Sequence, residues 1–374
     1  MLYVSPVAER GGAETVLLNI LKFHDRARFE PHVCVLKAGP LVAEINALGV
    51  STHVIETGRL RDARRTLDTV RQIRRLIRTR DIDLVFGNMA MGHVYSGLAA
   101  VGTRARAVWF QHGIPLTTDP LAWLAALVPS RAIFVNSRAT ARAQARIPGS
   151  ARRLQLVDLG VDTARFSPAR HRERPLLRAL GVPADGPVVA MIARLQRWKG
   201  QDVFVRAAGC VAAERPDVRF VIVGDALFGL EVSFREELHA LVATLKLGDR
   251  VTFAGFRDDV PALLDEVDVV VHPHRAPEPF GLAIVEALLM EKAVVASMLG
   301  APTEFITDGS TGLLVPPDDP QAVAQSILKL LGDRDLRGAL GRAGRASMLR
   351  RFTMEQMIGD LEASFRRVLD RQAA

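Results

Sequence analysis

The sequence predicts an α/β protein with two parallel sheets, each covered by helices, in two domains. Short runs of valine, isoleucine and leucine alternate with longer amphipathic stretches, which is the pattern of strand–helix–strand units. The length of 374 residues exceeds what one hydrophobic core usually needs. A segment rich in arginine and proline, 165–183, divides the alternation. We therefore predict an interdomain connection there, with domains at 1–168 and 169–352.

Composition limits the classes of binding partner and the cellular compartment that we expect. The net charge of +8 and the sequence pI of about 10.1 reflect either an arginine-rich coding bias or an anionic partner, namely a nucleotide, a phospholipid surface or nucleic acid. Only 6% of residues are aromatic and no nucleic-acid-binding motif is visible, so we expect no nucleic acid. Cys34 and Cys210 indicate buried thiols in a reducing compartment. No secretory leader and no bilayer-length apolar run are visible, so we expect a cytoplasmic protein.

Each predicted strand is a short apolar run bounded by turn residues. In the first domain the strands are at 2–5, 32–36, 83–86, 107–110, 133–136 and 154–156. In the second they are at 188–193, 219–223, 251–254, 269–271, 293–296 and 312–315. Helical spacing predicts helices after Gly12, over 59–80 and, near the C-terminus, over 321–331, 335–349 and 353–371. Loops are expected at 87–93 and 111–117.

The predicted helix at 59–80 is unusually basic. Its apolar positions recur on one face, at Leu60, Ala63, Leu67, Val70, Ile73 and Ile77. Its other faces carry arginines at 61, 64, 65, 71, 74, 75 and 78. Such a run is usually a solvated helix face packed on a core. The alternative is docking on an anionic membrane surface, where each basic residue contributes roughly 1 kcal/mol.

The most informative stretch of the chain is 269–297. An apolar strand ends near His272, three prolines then force a loop, and Gly281 precedes a helix that begins at Leu282. Glu278 lies just before this joint and Glu286 lies about one turn inside the helix. Unpaired N–H groups at a helix N-terminus suit a phosphate, and carboxylates beside it suit hydroxyls, so a sugar nucleotide fits both. A bare pair of glutamates, however, is usually a solvated surface feature.

The residues around these glutamates, E-P-F-G-L-A-I-V-E and then V-V-A-S, resemble the donor-binding signature of retaining glycosyltransferase family 4. In that family seven residues separate the two glutamates, as they do here. G-G-A-E after the first strand and L-G-V-D at 159–162 are also similar to family motifs. The resemblance covers nearly the whole chain and is stronger in the second domain. It departs at Asp158-Leu159, where asparagine is commoner, at Ala226 in place of a glycine, and at Pro302, which lacks an N–H.

The resemblance implies the GT-B fold, with two Rossmann-like domains facing each other across a cleft and the last helix, 353–371, packing back on the first domain. It implies a retaining glycosyltransferase that moves a hexose-type sugar from a UDP- or GDP-sugar to an acceptor. We expect a lipid-linked glycan of bacterial envelope polysaccharide as that acceptor, with the enzyme on the inner face of the plasma membrane. The Asp81-Ile82-Asp83 motif precedes and enters a strand, so we consider it structural and expect no metal and no cofactor.

The resemblance also assigns roles to individual residues. Arg194 and Lys199, in an R-L…K-G element, would bind the donor diphosphate and stabilise its leaving charge. Glu278 would contact the donor sugar, Glu286 the ribose, and His112 would lie near the hexose. The remaining donor-binding candidates are Gly12, Gly255, Phe256, Phe280, Gly281 and Leu282. The acceptor would lie around Gly12, 88–93 and 111–117.

Two other functions stay open on the sequence. A sugar-nucleotide epimerase or hydrolase on the same architecture would release product without an acceptor. A non-catalytic nucleotide-sugar-binding subunit would show no turnover at all. The presence of Glu278, Arg194 and Lys199 together argues against the binding subunit, because binding alone has little need of the catalytic set.

Overall fold

The chain divides into two compact units in the structure, a computed structural model that describes all residues except 10, 170–173, 184, 227–230 and 371–374. One unit is Met1–Gly160 together with the C-terminal segment that begins at Met354, and the other is Val161–Thr353. The division falls slightly before the predicted boundary at 168. Among the described residues, no helix is both long and apolar enough to cross a membrane.

The first unit is a seven-stranded parallel sheet with helices between the strands. Its strands are β1 (Leu2–Ser5), β2 (His32–Val35), β3 (Ser51–Val54), β4 (Leu84–Asn88), β5 (Arg106–Gln111), β6 (Ala132–Val135) and β7 (Leu154–Leu156). Its helices, apart from the last one of the chain, are α1 (Gly12–Phe23), α2 (Leu41–Ala47), α3 (Ala63–Thr79), α4 (Met89–Ala100), α5 (Pro120–Leu127) and α6 (Arg138–Ala145). The strand order is β3-β2-β1-β4-β5-β6-β7, so the direction of winding changes between β1 and β4. Ligands of such sheets bind beyond the carboxyl ends of the strands at this change.

The second unit is a six-stranded parallel sheet built in the same way. Its strands are β8 (Val188–Ile192), β9 (Arg219–Val223), β10 (Val251–Gly255), β11 (Val269–His272), β12 (Ala293–Ser297) and β13 (Leu313–Val315). Its helices are α7 (Pro175–Ala179), α8 (Gln201–Glu214), α9 (Val232–Thr244), α10 (Val260–Glu266), α11 (Leu282–Leu289), α12 (Pro320–Gly332) and α13 (Arg334–Leu349). The order β10-β9-β8-β11-β12-β13 places the change of winding between β8 and β11. The predicted fold class, two Rossmann-like parallel-sheet domains, is confirmed.

The central strands of both sheets are buried on both faces, which is why they are apolar without alternation. All four residues of β1 and all five of β8 are buried. The last helix, α14 (Met354–Asp370), belongs to the first unit, where Phe365 packs edge-to-face on Phe86 and Phe134. The end of the predicted helix, Arg371, lies outside the described residues.

In the first unit one strand was missed and two local predictions are wrong. Strand β3 was not predicted, because its Ser-Thr-His-Val sequence forms a partly exposed edge and so lacks an apolar run. The basic helix begins at Ala63 and not at 59, because the Asp62 side chain accepts a hydrogen bond from the Arg65 N–H and caps it. The segment 87–93 is not a loop, because β4 runs on to Asn88 and α4 begins at the next residue.

The apolar face of α3 also differs from the prediction. Its buried residues are Thr69, Val70, Ile73, Leu76 and Ile77, whereas Leu67 is 48% exposed. Arg74 is not a free charge of the solvated face, since its guanidinium donates to the carbonyl oxygens of Leu98 (2.9 Å) and Ala99 (3.1 Å). The prediction failed there because helical spacing alone does not show how α4 lies against this helix.

The segment 165–183 is more structured than a plain connection. Residues 170–173 lie outside the described residues, but the part after them forms α7. The N–H groups of Leu176 and Leu177 donate to the Glu266 carboxylate at 3.1 and 2.8 Å, which satisfies the first turn of this helix. Arg174 pairs with Asp268 at 2.8 Å. This part of the segment is therefore tied into the second unit.

Candidate active site

The loop that leaves β8 carries two of the predicted cationic residues. Arg194 follows the strand by two residues, and Lys199 ends a short 3₁₀ turn, Arg197–Lys199. Gly200 then caps the N-terminus of α8 with φ +81°, and a β-carbon there would lie 2.0 Å from the carbonyl oxygen of Pro273. Only glycine allows this approach. The consequence is that Lys199 is carried against the loop that follows β11.

The loop after β11 is held from its other side by the chain that follows β12. Glu278 forms a bridge with Gly300, where a β-carbon would lie 2.5 Å from the Glu278 backbone nitrogen and oxygen. The N–H of Ala301 donates to the Glu278 carbonyl at 2.9 Å. Pro302 lies in the first turn of the 3₁₀ segment Ala301–Glu304, where a missing N–H breaks no helical bond. The departure at Pro302 therefore leaves this contact intact.

Lys199 and Glu278 form a buried ion pair at the centre of the site. Lys199 Nζ lies 2.5 Å from Glu278 Oε2, and the side chains are 13% and 6% exposed. Burial would raise the pKa of the Glu278 carboxyl, but the charge and hydrogen bond of Lys199, with His272 and His274 nearby, lower it to about 2. Burial lowers the pKa of Lys199, and the Glu278 carboxylate opposes that effect. Glu278 is therefore a carboxylate at neutral pH.

His272, His274 and Glu278 are close enough to be tested as metal ligands, with one ligand atom of each within 4.8 Å of the others. Nδ1 of His274 lies 3.0 Å from the His272 carbonyl oxygen, and Nε2 lies 2.6 Å from the Leu299 carbonyl oxygen. No lone pair of His274 is thus directed at a cation beside Glu278. The Lys199 ammonium already occupies one Glu278 oxygen. The trio does not fit a metal ion in this arrangement.

Helix α11 carries Glu286 four residues after its first residue, Leu282. Gly281 caps the helix with φ +92°, and Leu282 is its first residue. Burial raises the pKa of Glu286 to about 7, and Arg165 opposes the shift. Phe280 is buried against Phe305 and Phe352, at ring separations of 6.0 and 5.3 Å. Its side chain therefore serves packing, and only its backbone could face a ligand.

The other predicted residues of the second unit lie at neighbouring strand ends. The Arg194 charge lies near enough to Lys199 to lower the pKa of that ammonium. Gly255 ends β10 with φ +64° and accepts a hydrogen bond from the Gly224 N–H at 2.8 Å. Phe256 follows it and is 49% exposed. An exposed aromatic ring at a strand end is suited to stacking on a base.

In the first unit the predicted residues lie at the carboxyl ends of the central strands. Gly12 is the first residue of α1, and a β-carbon there would meet nothing within 4 Å. His112 follows β5 and stacks on Phe110 at a centroid distance of 4.3 Å. Its Nε2 lies 2.9 Å from Asn88 Oδ1, and its carbonyl accepts from Asn136 Nδ2 at 3.0 Å. Burial lowers the pKa of His112 to about 3, so the imidazole is neutral.

Residues that the sequence reasoning did not single out complete these sites. His274 and Ala301 hold the Glu278 loop, and Ser5 and Asn136 extend the polar row beside His112. The available signal was a polar residue directly after an apolar strand. The carboxylates of Asp81 and Asp83 lie 2.7 and 3.2 Å from the Arg104 guanidinium.

Comparison with known proteins identifies the two units separately. Residues 10–165 match the family described as Glycosyltransferase Family 4, and residues 174–347 match Glycosyl transferases group 1. The D-inositol 3-phosphate glycosyltransferase of Salinispora tropica is 36% identical over 218 residues, 56% of this chain and 45% of that protein. The lipopolysaccharide core biosynthesis mannosyltransferase LpsB of Rhizobium meliloti is 33% identical over 199 residues, 53% of this chain and 56% of that protein. The matches to these curated relatives thus span about half of their length.

Among solved structures, Anabaena Alr3699/HepE in complex with UDP-glucose is similar over 98% of both chains, with a TM-score of 0.88 and 27% identity. A glycosyltransferase from Rickettsia africae has a TM-score of 0.86 at 22% identity over 98% of both chains, which shows the fold alone. The two family regions lie on the two parallel sheets and together span most of the chain. The chain therefore carries a Glycosyltransferase Family 4 domain in its first unit and a Glycosyl transferases group 1 domain in its second, on the GT-B fold.

Proposed function

We propose that the protein transfers a hexose-type sugar from a UDP-sugar to an acceptor hydroxyl, with retention of anomeric configuration and without a metal. One observation carries this proposal. The carboxylate of Glu278 and the cations Lys199 and Arg194 are gathered at the carboxyl ends of β8 and β11, beside the N-terminus of α11. A diphosphate needs the cations and the helix N-terminus, and a sugar needs the carboxylate.

The cationic side of the site suits a leaving group that gains charge. As the bond from the anomeric carbon to the diphosphate oxygen breaks, the diphosphate becomes more negative. Lys199, Arg194 and the N–H groups at Leu282 then bind it more strongly than they bind the substrate, which lowers the barrier. These groups supply the positive charge that a metal ion provides in other enzymes, which supports metal independence.

Glu278 and Glu286 have different tasks in this proposal. Glu278 is held ionised by Lys199, so it can accept hydrogen bonds from sugar hydroxyls and stabilise positive charge at the anomeric carbon. Glu286 accepts from the ribose hydroxyls. The acceptor oxygen attacks the face from which the diphosphate leaves, and its proton passes to a diphosphate oxygen. No separate nucleophile is required in this step, and retention follows.

We propose uracil as the base of the donor because Alr3699/HepE, which is similar over 98% of both chains, binds UDP-glucose. Half-exposed Phe256 at the end of β10 supports a stacked base. We propose that the acceptor is a lipid-linked glycan bound near Gly12 and 111–117. Lipopolysaccharide core enzymes among the relatives favour that class.

A lipid-linked acceptor implies that the protein works at a membrane, and we propose that α3 and α5 contact an anionic lipid surface from the cytoplasm. Helix α4 packs against both, so the two lie on one side of the first sheet. Helix α3 exposes arginines at 64, 65, 71, 75 and 78, and Arg61 is exposed just before the helix. On and before α5, Leu116, Trp123, Leu124 and Leu127 are exposed, Leu127 to 76%. Apolar side chains beside arginines match the interface of a bilayer with anionic lipids.

The test of the proposed function is a thermal-shift panel with UDP, GDP, ADP and their sugar conjugates, followed by a transfer assay. A ligand at a hundred times its dissociation constant stabilises by about 2.7 kcal/mol, so binding is readily seen. We expect a response to UDP and UDP-sugars. Glu278→Gln should lower turnover about a hundredfold or more while UDP still binds. A response to GDP or ADP conjugates alone would overturn the proposed base, and sugar release that ignores every acceptor would support a hydrolase.

A further inference from the structure

The carboxyl ends of four neighbouring strands in the first unit carry a row of hydrogen-bonded polar side chains. Ser5 ends β1, Asn88 ends β4, and His112 and Asn136 follow β5 and β6. Asn88 Nδ2 donates to Ser5 Oγ at 3.3 Å, and its Oδ1 lies 2.9 Å from His112 Nε2. Asn88 is 1% exposed, so solvent water cannot replace the hydrogen bonds of its amide.

The orientation of the Asn88 amide follows from the groups around it. A carbonyl oxygen only accepts hydrogen bonds, so the single hydroxyl proton of Ser5 goes to the Val7 carbonyl oxygen at 2.9 Å. Ser5 Oγ is then left as an acceptor, and it receives the Asn88 Nδ2 proton. Asn88 must therefore turn its Oδ1 toward His112. Reversing the amide would break the bond from Ser5 to Val7.

This orientation decides the tautomer of His112. An amide oxygen cannot donate, so Nε2 of His112 must carry the proton. Because the ring is neutral, Nδ1 then carries a lone pair. That Nδ1 atom is buried and has no hydrogen-bond partner among the residues that the structure describes. A buried acceptor without a partner costs free energy unless something supplies a donor.

We propose that Asn88 is a positioning residue that holds His112 in the Nε2–H tautomer, so that Nδ1 accepts a hydrogen bond from a sugar hydroxyl. The site thereby selects a hydroxyl-bearing ligand and disfavours one that presents only an acceptor. This inference rests on the proposed function for the identity of the ligand. The tautomer itself rests on the geometry of Ser5, Asn88 and His112 and is measured without turnover.

The experiment is nitrogen-15 NMR of the full-length protein labelled at histidine, with His112→Gln to assign the signal. Unprotonated and protonated ring nitrogens have well-separated shifts, so the tautomer is read directly. We expect an unprotonated Nδ1 and a protonated Nε2 from pH 6 to 8. A protonated Nδ1 in that range would overturn the proposal.

Variants separate positioning from simple packing. Asn88→Leu should let both tautomers populate, whereas Asn88→Asp should keep the Nε2 proton and raise the pKa of His112, roughly by one to three pH units. Asn136→Ala is the matched control, since Asn136 touches the backbone carbonyl of His112 and not its ring. An unchanged tautomer in Asn88→Leu, or an equal change in Asn136→Ala, would refute the role of Asn88.

Titration with UDP and UDP-glucose tests the ligand part of the inference. UDP-glucose should shift the Nδ1 signal toward that of a hydrogen-bonded nitrogen, and UDP alone should not. If neither compound binds anywhere on the protein, the proposed function fails while the tautomer result stands. If UDP-glucose binds and leaves Nδ1 unmoved, the proposed function stands and the hydroxyl contact is wrong.

Discussion

Replacing Lys199 with methionine tests the centre of the proposed site, because it removes the ammonium and keeps most of the side-chain volume. The ammonium lies 2.5 Å from a Glu278 side chain that is 6% exposed. Without it the carboxylate is left buried and unpaired. Breaking one partner of a buried pair typically costs about 3 to 5 kcal/mol.

The pKa of Glu278 gives a second value for the stability that the ion pair contributes. It is held at about 2, against an ordinary value of 4.5. At about 1.4 kcal/mol per pH unit, that difference amounts to about 3 kcal/mol of stabilisation at neutral pH. For a unit of this size we expect the melting temperature to fall by roughly 6 to 12 °C.

The pH dependence has a definite sign. A depressed carboxyl pKa contributes stability that is fully present above about pH 4.5 and is lost as the pH falls toward 2. The free energies of unfolding of wild type and Lys199→Met should therefore differ by the full amount at pH 7 and become similar in acid. The assay is denaturant and thermal unfolding at several pH values. The double variant Lys199→Met with Glu278→Gln should recover most of the loss, since it leaves no unpaired charge. A single-variant loss under about 1 kcal/mol, or no recovery in the double variant, would refute the reasoning.

Three further predictions follow from the same structure. Burial raises the pKa of Glu286 to about 7, so its carboxylate fraction rises about tenfold from pH 6 to 8. The UDP affinity relative to that of Glu286→Gln, measured by calorimetry, should rise by about the same factor. A flat ratio would contradict the ribose role. Gly200→Ala places a β-carbon 2.0 Å from the Pro273 carbonyl oxygen at φ +81°. We therefore expect the free energy of unfolding to fall by about 2 kcal/mol or more and UDP binding to weaken. Gly332→Ala is the control, because its β-carbon would meet nothing within 4 Å, and it should be near neutral in the same unfolding assay. Reversing the charge of three exposed α3 arginines should weaken sedimentation with phosphatidylglycerol vesicles roughly a hundredfold and leave binding to neutral vesicles unchanged; equal binding by wild type and variant would exclude α3 as the lipid contact.

Most strands could be predicted because a strand buried on both faces needs an uninterrupted apolar run, and such runs are visible without a structure. Strand β1 was predicted with both of its ends, and β9 likewise. Strand β3 was missed because an edge strand can expose polar side chains and still form its ladder. Helix α4 was not predicted, and its first turn was predicted as a loop, because Met89 begins the helix at φ +64°, a conformation that no local sequence preference favours.

The candidate site was predictable in part for a related reason. The carboxyl ends of parallel strands meet at one edge, so residues just after apolar runs, such as Arg194, Glu278 and His112, could be selected as candidates. The sequence could not show that Phe280 is turned into an aromatic cluster, or that Arg74 is bound to backbone carbonyls. Those outcomes depend on which neighbouring element reaches each side chain.

The sequence by itself determined the alternation of strands and helices, the glycines that allow close backbone approach, and the motif that names the family, because each is a local property of consecutive residues. The tertiary structure alone decided which distant residues became partners. It joined Lys199 to Glu278 and Asn88 to His112, although these partners are 79 and 24 positions apart along the chain. The physical reason is that the pKa of Glu278 and the tautomer of His112 depend on burial and on the atoms within hydrogen-bonding distance, and these exist only once the sheets have formed.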